Sequence, residues 1–422
     1  MSVLASSRKH RPERAQQNRY PSWRSAQLPD QLVREEHAES LGVYRRCIAA
    51  VLVACLVVSG CSASQQDSAE LDDRSRLSQA RYAVLLGSVY SGYRDADTSA
   101  DGVLWLVDKH GTVVSRTGRF TPIPAAVLRS EGTTAWFTGN QVSYRLTGAG
   151  LSRYPRKHEP GNIGLVHVRS KAAPVATVNI GAAEAGQYQT QVMVLDSPES
   201  DFRVARYVDA IATCGATSYL LTTEGLSPQG ARWEDLQTRR VVAEQVVEST
   251  DGIGTVSLTC EQGVVWAVDQ QRTDTGEIRQ VVLHRWDTKH GFTDSPVRMS
   301  QGRDGAPLGA DGSWNDGSKM PTAYWWLDGH LYWLTARGEV WKTDVTTGAS
   351  AQAFKAEAAN AATPPHCTPQ TDSVVCARQL SDRIEIDSYR LPDGVLVDHV
   401  VVTEKPPVDD LTVMDVGALG SA

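Results

Sequence analysis

A single motif recurs along this chain: a Val-rich apolar strand, an Asp/Gly-type turn, then a second apolar strand. The turns are Asp108-Lys109-His110-Gly111, Thr147-Gly148-Ala149-Gly150, Asp196 to Asp201, Asp235 to Arg239, Asp287 to Gly291, Asp344 to Gly348 and Leu391 to Gly394. Their starts lie 39, 49, 39, 52, 57 and 47 residues apart, a mean near 47. A supersecondary unit repeated at about 40–50 residues matches one four-stranded blade of a β-propeller.

A second repeat keeps step with the first. Gly-containing hairpins lead into aromatic strands at SEGTTAWFT (130–138), CGATSYLLT (214–222), CEQGVVWAV (260–268) and LDGHLYWLT (327–335). These read as the turn between strands one and two of a blade. Trp136, Tyr219, Trp266 and Trp333 then fill the wedges between blades, as core residues and not as ligands. From Tyr82 onward the chain consists of runs of four to eight Val, Leu, Trp and Tyr residues punctuated by Gly, Asp, Pro and Asn, with no long 3.6-residue apolar period. The first unit lacks an innermost strand, whereas the last apolar run, LTVMDV (411–416), has no blade of its own. Pairing the two closes the ring and removes exposed sheet edges. The expected fold is all-β: a seven-bladed β-propeller over 81–422 with terminal-strand ring closure. Six or eight blades, or a pair of β-sandwiches, are the alternatives.

The segment ahead of the repeats has a different composition. Arg45 and Arg46 precede CIAAVLVACLVV (47–58), which carries no charge, amide or hydroxyl, and Ser59-Gly60-Cys61 follows. A positive patch, an apolar core of about 7–15 residues and small residues at the end describe a secretory signal. The run is shorter than the ~20 residues a spanning helix needs. Val58-Ser59-Gly60-Cys61 resembles the bacterial lipobox, which implies lipidation of Cys61, cleavage before it, and a cell-membrane protein facing the extracytoplasmic side. The expected organisation is a leader and lipoprotein signal peptide over 1–60, a lipidated flexible tether over 61–80, and the propeller. The 43 polar residues before the signal fit it poorly, and a start near Leu41 or Val43 suits it better. Without residues 1–60 the chain has 33 basic and 44 acidic residues, a net charge of −11. That argues against nucleic acid and anionic membrane surfaces as partners.

The cysteines divide by position. Cys47 and Cys55 belong to the signal and Cys61 takes the lipid, leaving Cys214, Cys260, Cys367 and Cys376, an even number in a disulfide-permissive compartment. Four cysteines allow three connectivities. Cys214 and Cys260 fall at the same place in neighbouring repeats, at the end of an innermost strand, and Cys367 and Cys376 flank one hairpin. The favoured pairing is 214–260 with 367–376.

VWKTDVTTG (340–348) and LHRWDTKHG (283–291) resemble the strand-turn segment of pyrroloquinoline-quinone-type propeller repeats. The resemblance implies the propeller fold and, through bacterial lipoproteins built on such repeats, a role as an envelope scaffold. The tryptophan usual after the turn glycine is missing, and no quinone-site residue can be assigned, so no cofactor is expected.

No Gly-x-Ser-x-Gly elbow, His-Glu-x-x-His or phosphate loop is present, and no two histidines sit at metal-ligand spacing on a helix. No catalytic or metal residue is therefore assigned. YRDADTSADG (93–102), with Asp95, Asp97 and Asp101, reads as a solvated acidic loop. The long connection MSQGRDGAPLGADGSWNDGSKMPT (299–322) exceeds the usual length for a compact domain. Its Trp314 is the candidate ligand anchor, with Arg303, Asp304, Asp311 and Asp316 as polar contacts to a sugar, a peptide or a cation. In a propeller this loop shares one face with 91–101, 155–162, 223–231 and 270–278. The expected function is a lipid-anchored ligand- or protein-binding scaffold, with an envelope protein or a small glycan or peptide as partner. The alternatives are an extracytoplasmic propeller enzyme, either a glycan-active hydrolase or lyase or a quinone-dependent dehydrogenase, and a sensor or assembly factor.

Overall fold

A computed structural model describes residues 70–88, 102–118, 120, 128–139, 142–156, 162–169, 172–182, 188–223, 231–244, 256–273, 277–302, 305–309, 319–356, 365–407 and 411–420. The chain divides into two units, 1–64 and 65–422, and the described residues all belong to the second. The signal segment and Cys61 lie outside the described residues. Among those described, no helix is long and apolar enough to cross a membrane.

The architecture is all-β and propeller-like. Among the described residues, short strands alternate with three single-turn helices, Leu77–Gln79, Pro198–Ser200 and Thr288–His290. Within a unit consecutive strands run antiparallel, and most are joined by turns of two to five residues, too short for a parallel crossover. Ring closure is present. Leu411–Ala418 pairs antiparallel with Ala80–Ser88, followed outward by Gly102–Asp108 and Val113–Arg116. The first strands follow one another around a ring: Leu411–Ala418, Arg129–Glu131, Asn162–Arg169, Tyr207–Cys214, Val256–Glu261, Pro321–Leu327, His366–Pro369, and back to Leu411–Ala418.

Seven separate blades are not what the hydrogen bonding delimits. Among the described residues five sheets are discrete, four of them four-stranded and one five-stranded, and the sixth is a continuous nine-stranded sheet over 207–298. The reason is a parallel pairing between neighbouring first strands. Val256–Leu258 pairs with Ala210–Ala212, and only Thr259–Glu261 remains for Val264–Trp266. Val268 is thereby left without an inner partner. The Tyr324 hydroxyl replaces it, donating to the Val268 carbonyl and accepting from its N–H, both at 3.1 Å.

The Asp turns owe their recurrence to local chemistry. A short carboxylate can accept from amides two and three residues ahead and so close the turn on itself. Asp108 accepts from the N–H of His110 at 2.8 Å, Asp235 from Thr238 at 2.7 Å and Asp344 from Thr346 at 2.8 Å. The closing glycine has two duties at Gly111 and Gly348. Their φ angles of 82° and 73° lie in the left-handed region. A Cβ would also come 2.1 Å from the Val401 carbonyl oxygen at Gly111 and 2.4 Å from that of Arg298 at Gly348. In both cases the turn packs on the outer strand of the preceding blade, so it joins blades as well as strands.

The aromatic repeat carries a correction. Trp136, Tyr219 and Trp266 each stand two residues after the pair that closes the hairpin, Glu131↔Thr134, Cys214↔Thr217 and Glu261↔Val264. They pack forward. Trp136 joins Val178 and Met193, Tyr219 meets Phe292 at 4.8 Å, and Trp266 stacks on Trp326 at 5.8 Å. In LDGHLYWLT the closing pair is Leu327↔His330, so the equivalent residue is Tyr332 and Trp333 is one further on. One residue flips the face of a strand. Tyr332 accordingly packs with Val374 and Cys376 of the following blade, and Trp333 with the preceding core around Trp286.

Both expected disulfides are formed. Cys214–Cys260 joins the ends of the two fused first strands with Cα atoms 5.2 Å apart. Cys367–Cys376 crosses a directly opposed pair at 4.0 Å.

Candidate functional site

Strand polarity separates the loops onto two faces. The turns between strands one and two, and three and four, share one face and are short. Connections from strand two to three, and from an outer strand to the next first strand, share the other. The candidate residues Trp314, Arg303, Asp304, Asp311 and Asp316 lie outside the described residues, as do Asp95, Asp97 and Asp101. The described flank of their loop is not a free insertion. Met299 and Leu308 are buried, Leu308 N–H donates to the Met299 carbonyl at 3.1 Å, and Ser300–Gln301 pairs parallel with Ala349–Ser350.

Among the described residues, a cleft of about 130 Å³ opens on the long-loop face. Gln379 to Ile384, the link between the second and third strands of the last blade, makes one wall, and Glu404, Lys405 and Pro406 make the other. The wall is anchored to the ring closure. The Gln379 side chain donates to the Leu411 carbonyl at 3.1 Å and accepts from the Val413 N–H at 2.8 Å. Arg383 is held in place by Glu385, to which its Nε donates at 2.9 Å, and by Asp382 at 3.1 Å. Its guanidinium is thereby kept firmly protonated, the Glu385 hydrogen bond contributing most.

Behind this wall lies a buried charged network. Arg378 donates to Glu385 at 2.9 Å and to Asp387 at 3.1 Å. Asp387 also bonds His399 Nδ1 at 2.6 Å and the Tyr389 hydroxyl at 3.3 Å. Both carboxylates therefore have fixed partners, and Arg383 is aimed by Glu385. The cleft rim offers charges of both signs, Asp382 and Glu404 against Arg383 and Lys405. Such a surface can recognise a small polar group or a peptide segment by ion pairs and hydrogen bonds.

Sequence reasoning missed this cleft, because Asp382-Arg383 and Glu404-Lys405 look like ordinary solvated turn residues. It also missed His284, which lies 3.3 Å from Asp269 and 2.7 Å from Asp294 and stacks on Trp286 at 4.9 Å. Burial opposes charge on this ring, but the hydrogen bonds it donates to both carboxylates override it and lift the pKa to about 9. The available signal was a histidine interrupting the apolar run VVLHRW. Its partners Asp269 and Asp294 sit on the neighbouring strand and just beyond the turn, and the cluster fastens the short outer strand Thr293–Asp294 to its blade. Among the described residues, no group of three or more His, Cys, Asp or Glu could hold a metal ion.

Solved structures of similar fold align with most of the chain at low sequence identity. Cobalt-substituted apocarotenoid oxygenase of Synechocystis aligns at a TM-score of 0.50 and 10% identity, covering 82% of this chain and 93% of that one. Dihydro-heme d1 dehydrogenase NirN aligns at 0.42 and 12%, covering 72% and 64%. AztD from Citrobacter koseri aligns at 0.42 and 10%, covering 81% and 100%. At these identities the likeness concerns the fold. No family model matches the chain, and no curated protein matches it.

Proposed function

We propose that the protein is a lipid-anchored binding scaffold of the cell envelope, tethered through Cys61, that recognises a protein or small polar ligand on its long-loop face. The observation that carries this reading is the cleft between 379–384 and 404–406. It opens on the face that collects the long connections, and loops on a rigid frame are where recognition residues concentrate. Two disulfides among the described residues support an oxidising compartment. The apolar run ending at Cys61 supports export and anchoring. Trp314 and its polar neighbours belong to the same proposed face.

A photo-crosslinking amino acid at position 405, on the cleft, is compared in cells with one at position 132, on the short-turn face. Adducts at 405 and none at 132 are expected, and adducts only at 132 refute the reading. In parallel, Cys61→Ala should abolish fatty-acid labelling and membrane retention. Equal labelling of both proteins refutes the anchor.

A further inference from the structure

Residues 70–79 do more than lead into the first blade. Glu70–Asp72 lie along the outer strand Val113–Arg116 as an added edge. Asp72 N–H donates to the Arg116 carbonyl at 3.0 Å, Gly118 N–H to the Glu70 carbonyl at 2.9 Å, and Leu71 bridges Thr117. Leu71 and Leu77 are both buried in the core shared with the second blade. The Asp72 carboxylate accepts from Arg116 N–H at 2.8 Å and from the Ser115 hydroxyl at 3.0 Å.

The Arg116 side chain connects this segment to the cleft. Its Nε pairs with Asp72 at 3.3 Å and its Nη1 with Glu404 at 2.8 Å. Glu404 is a wall of the cleft and stands in the link that feeds the closing strand. One guanidinium thus holds the N-terminal segment and the cleft wall together.

We propose that residues 70–79 form a strap that couples the tethered end of the chain to the cleft: seated, it fixes Arg116 and through it the Glu404 wall, and lifted, it releases that wall. The strap has the features of a low-stability unit, with two backbone hydrogen bonds, half-exposed ion pairs and two anchoring leucines. Glu70 lies nine residues after Cys61, a span of at most about 32 Å when extended. Tension from a membrane anchor would therefore arrive directly at the strap. The inference rests on the cleft being a binding site, but its test needs no ligand.

A nitroxide-bearing amino acid is placed at position 405 of the full chain, with a control label at Thr346 on the opposite face. In the unaltered strap the label at 405 should show a slow, restricted component. Leu71→Ser with Asp72→Asn should remove that component and leave the control unchanged. Arg116→Gln, which keeps the strap's backbone pairing, should remove it equally. An unchanged spectrum at 405 in either variant overturns the coupling, and so does simultaneous loosening at 346. A positive result here together with no crosslinks at 405 would reject the binding reading alone.

Discussion

Asp415 sits in the closing strand at 8% exposure and ties three blades together. One oxygen accepts from the Thr368 hydroxyl at 2.7 Å and from Val416 N–H at 2.9 Å. The other accepts from Leu128 N–H at 3.0 Å and, weakly, from Arg129 at 3.4 Å. Leu128 is fully buried and Thr368 nearly so, so removing the carboxylate leaves two cross-blade donors without an acceptor. Each hydrogen bond to a charged acceptor contributes about 1.5–3 kcal/mol. Allowing for partial relaxation, Asp415→Ala should cost about 3–5 kcal/mol. For a domain of this size that lowers the melting temperature by about 4–7 °C. Asp415→Asn keeps one acceptor oxygen and should lose about half as much. Urea titration followed by tryptophan fluorescence measures both. A loss below about 1 kcal/mol for Asp415→Ala would show that the apolar face of the strand alone holds the ring shut.

Gly348→Ala should destabilise by about 2–4 kcal/mol, because left-handed strain adds to the collision with the Arg298 carbonyl. Gly291→Ala, at φ 68° with open space around its Cβ position, should cost only about 1 kcal/mol. Equal effects in thermal melts would refute the turn-to-blade contact. His284 makes stability pH-dependent with a definite sign. Its folded pKa of about 9 exceeds the ordinary 6.5, so its contribution is complete below pH 6.5 and fades as pH rises to 9. The linked amount is about 3 kcal/mol, and the stability difference between wild type and His284→Gln should shrink by roughly that much across the window. A difference independent of pH from 6 to 9.5 would refute the ion cluster.

The parts of this fold that were legible in sequence are those written in local backbone chemistry. Asp108, Asp235, Asp287 and Asp344 announce their turns because a carboxylate that caps its own amides needs no distant partner. Ring closure was legible because 411–416 is apolar and has no other strand to meet. Cys214–Cys260 followed from equal placement in two repeats, and Cys367–Cys376 from flanking one hairpin. What failed was whatever depends on non-local geometry. Trp333 was aligned by its tryptophan, whereas the face is set by the hairpin-closing pair Leu327↔His330. The parallel pairing of Ala210–Ala212 with Val256–Leu258 is made by backbone atoms and leaves no mark on side-chain pattern. The cleft needed knowledge that 379–384 and 404–406 meet, which follows only from the pairing of Ile384 with Val402 in the last blade's outer hairpin.

Closure poses a register problem that hydrophobicity cannot solve. A strand with a two-residue period keeps its apolar residues inward after a slip of two, so LTVMDVGA alone would tolerate several pairings with Ala80–Ser88. Polar contacts remove the degeneracy. Gln379 holds the Leu411 carbonyl and the Val413 N–H, which fixes where the strand's backbone lies, and the Asp415 side chain decides which residues stand there. The ladder shifts between Leu85↔Asp415 and Leu86↔Val413, and this bulge at Met414 brings the Asp415 carboxylate to Leu128 and Thr368 on the two flanking blades. A slip of two would bury that carboxylate without partners, at a cost of several kcal/mol. Gln379, which grips the closing strand, is also part of one wall of the cleft. Ring closure and the candidate site therefore share Gln379, and a misplaced closing strand would free the start of that wall.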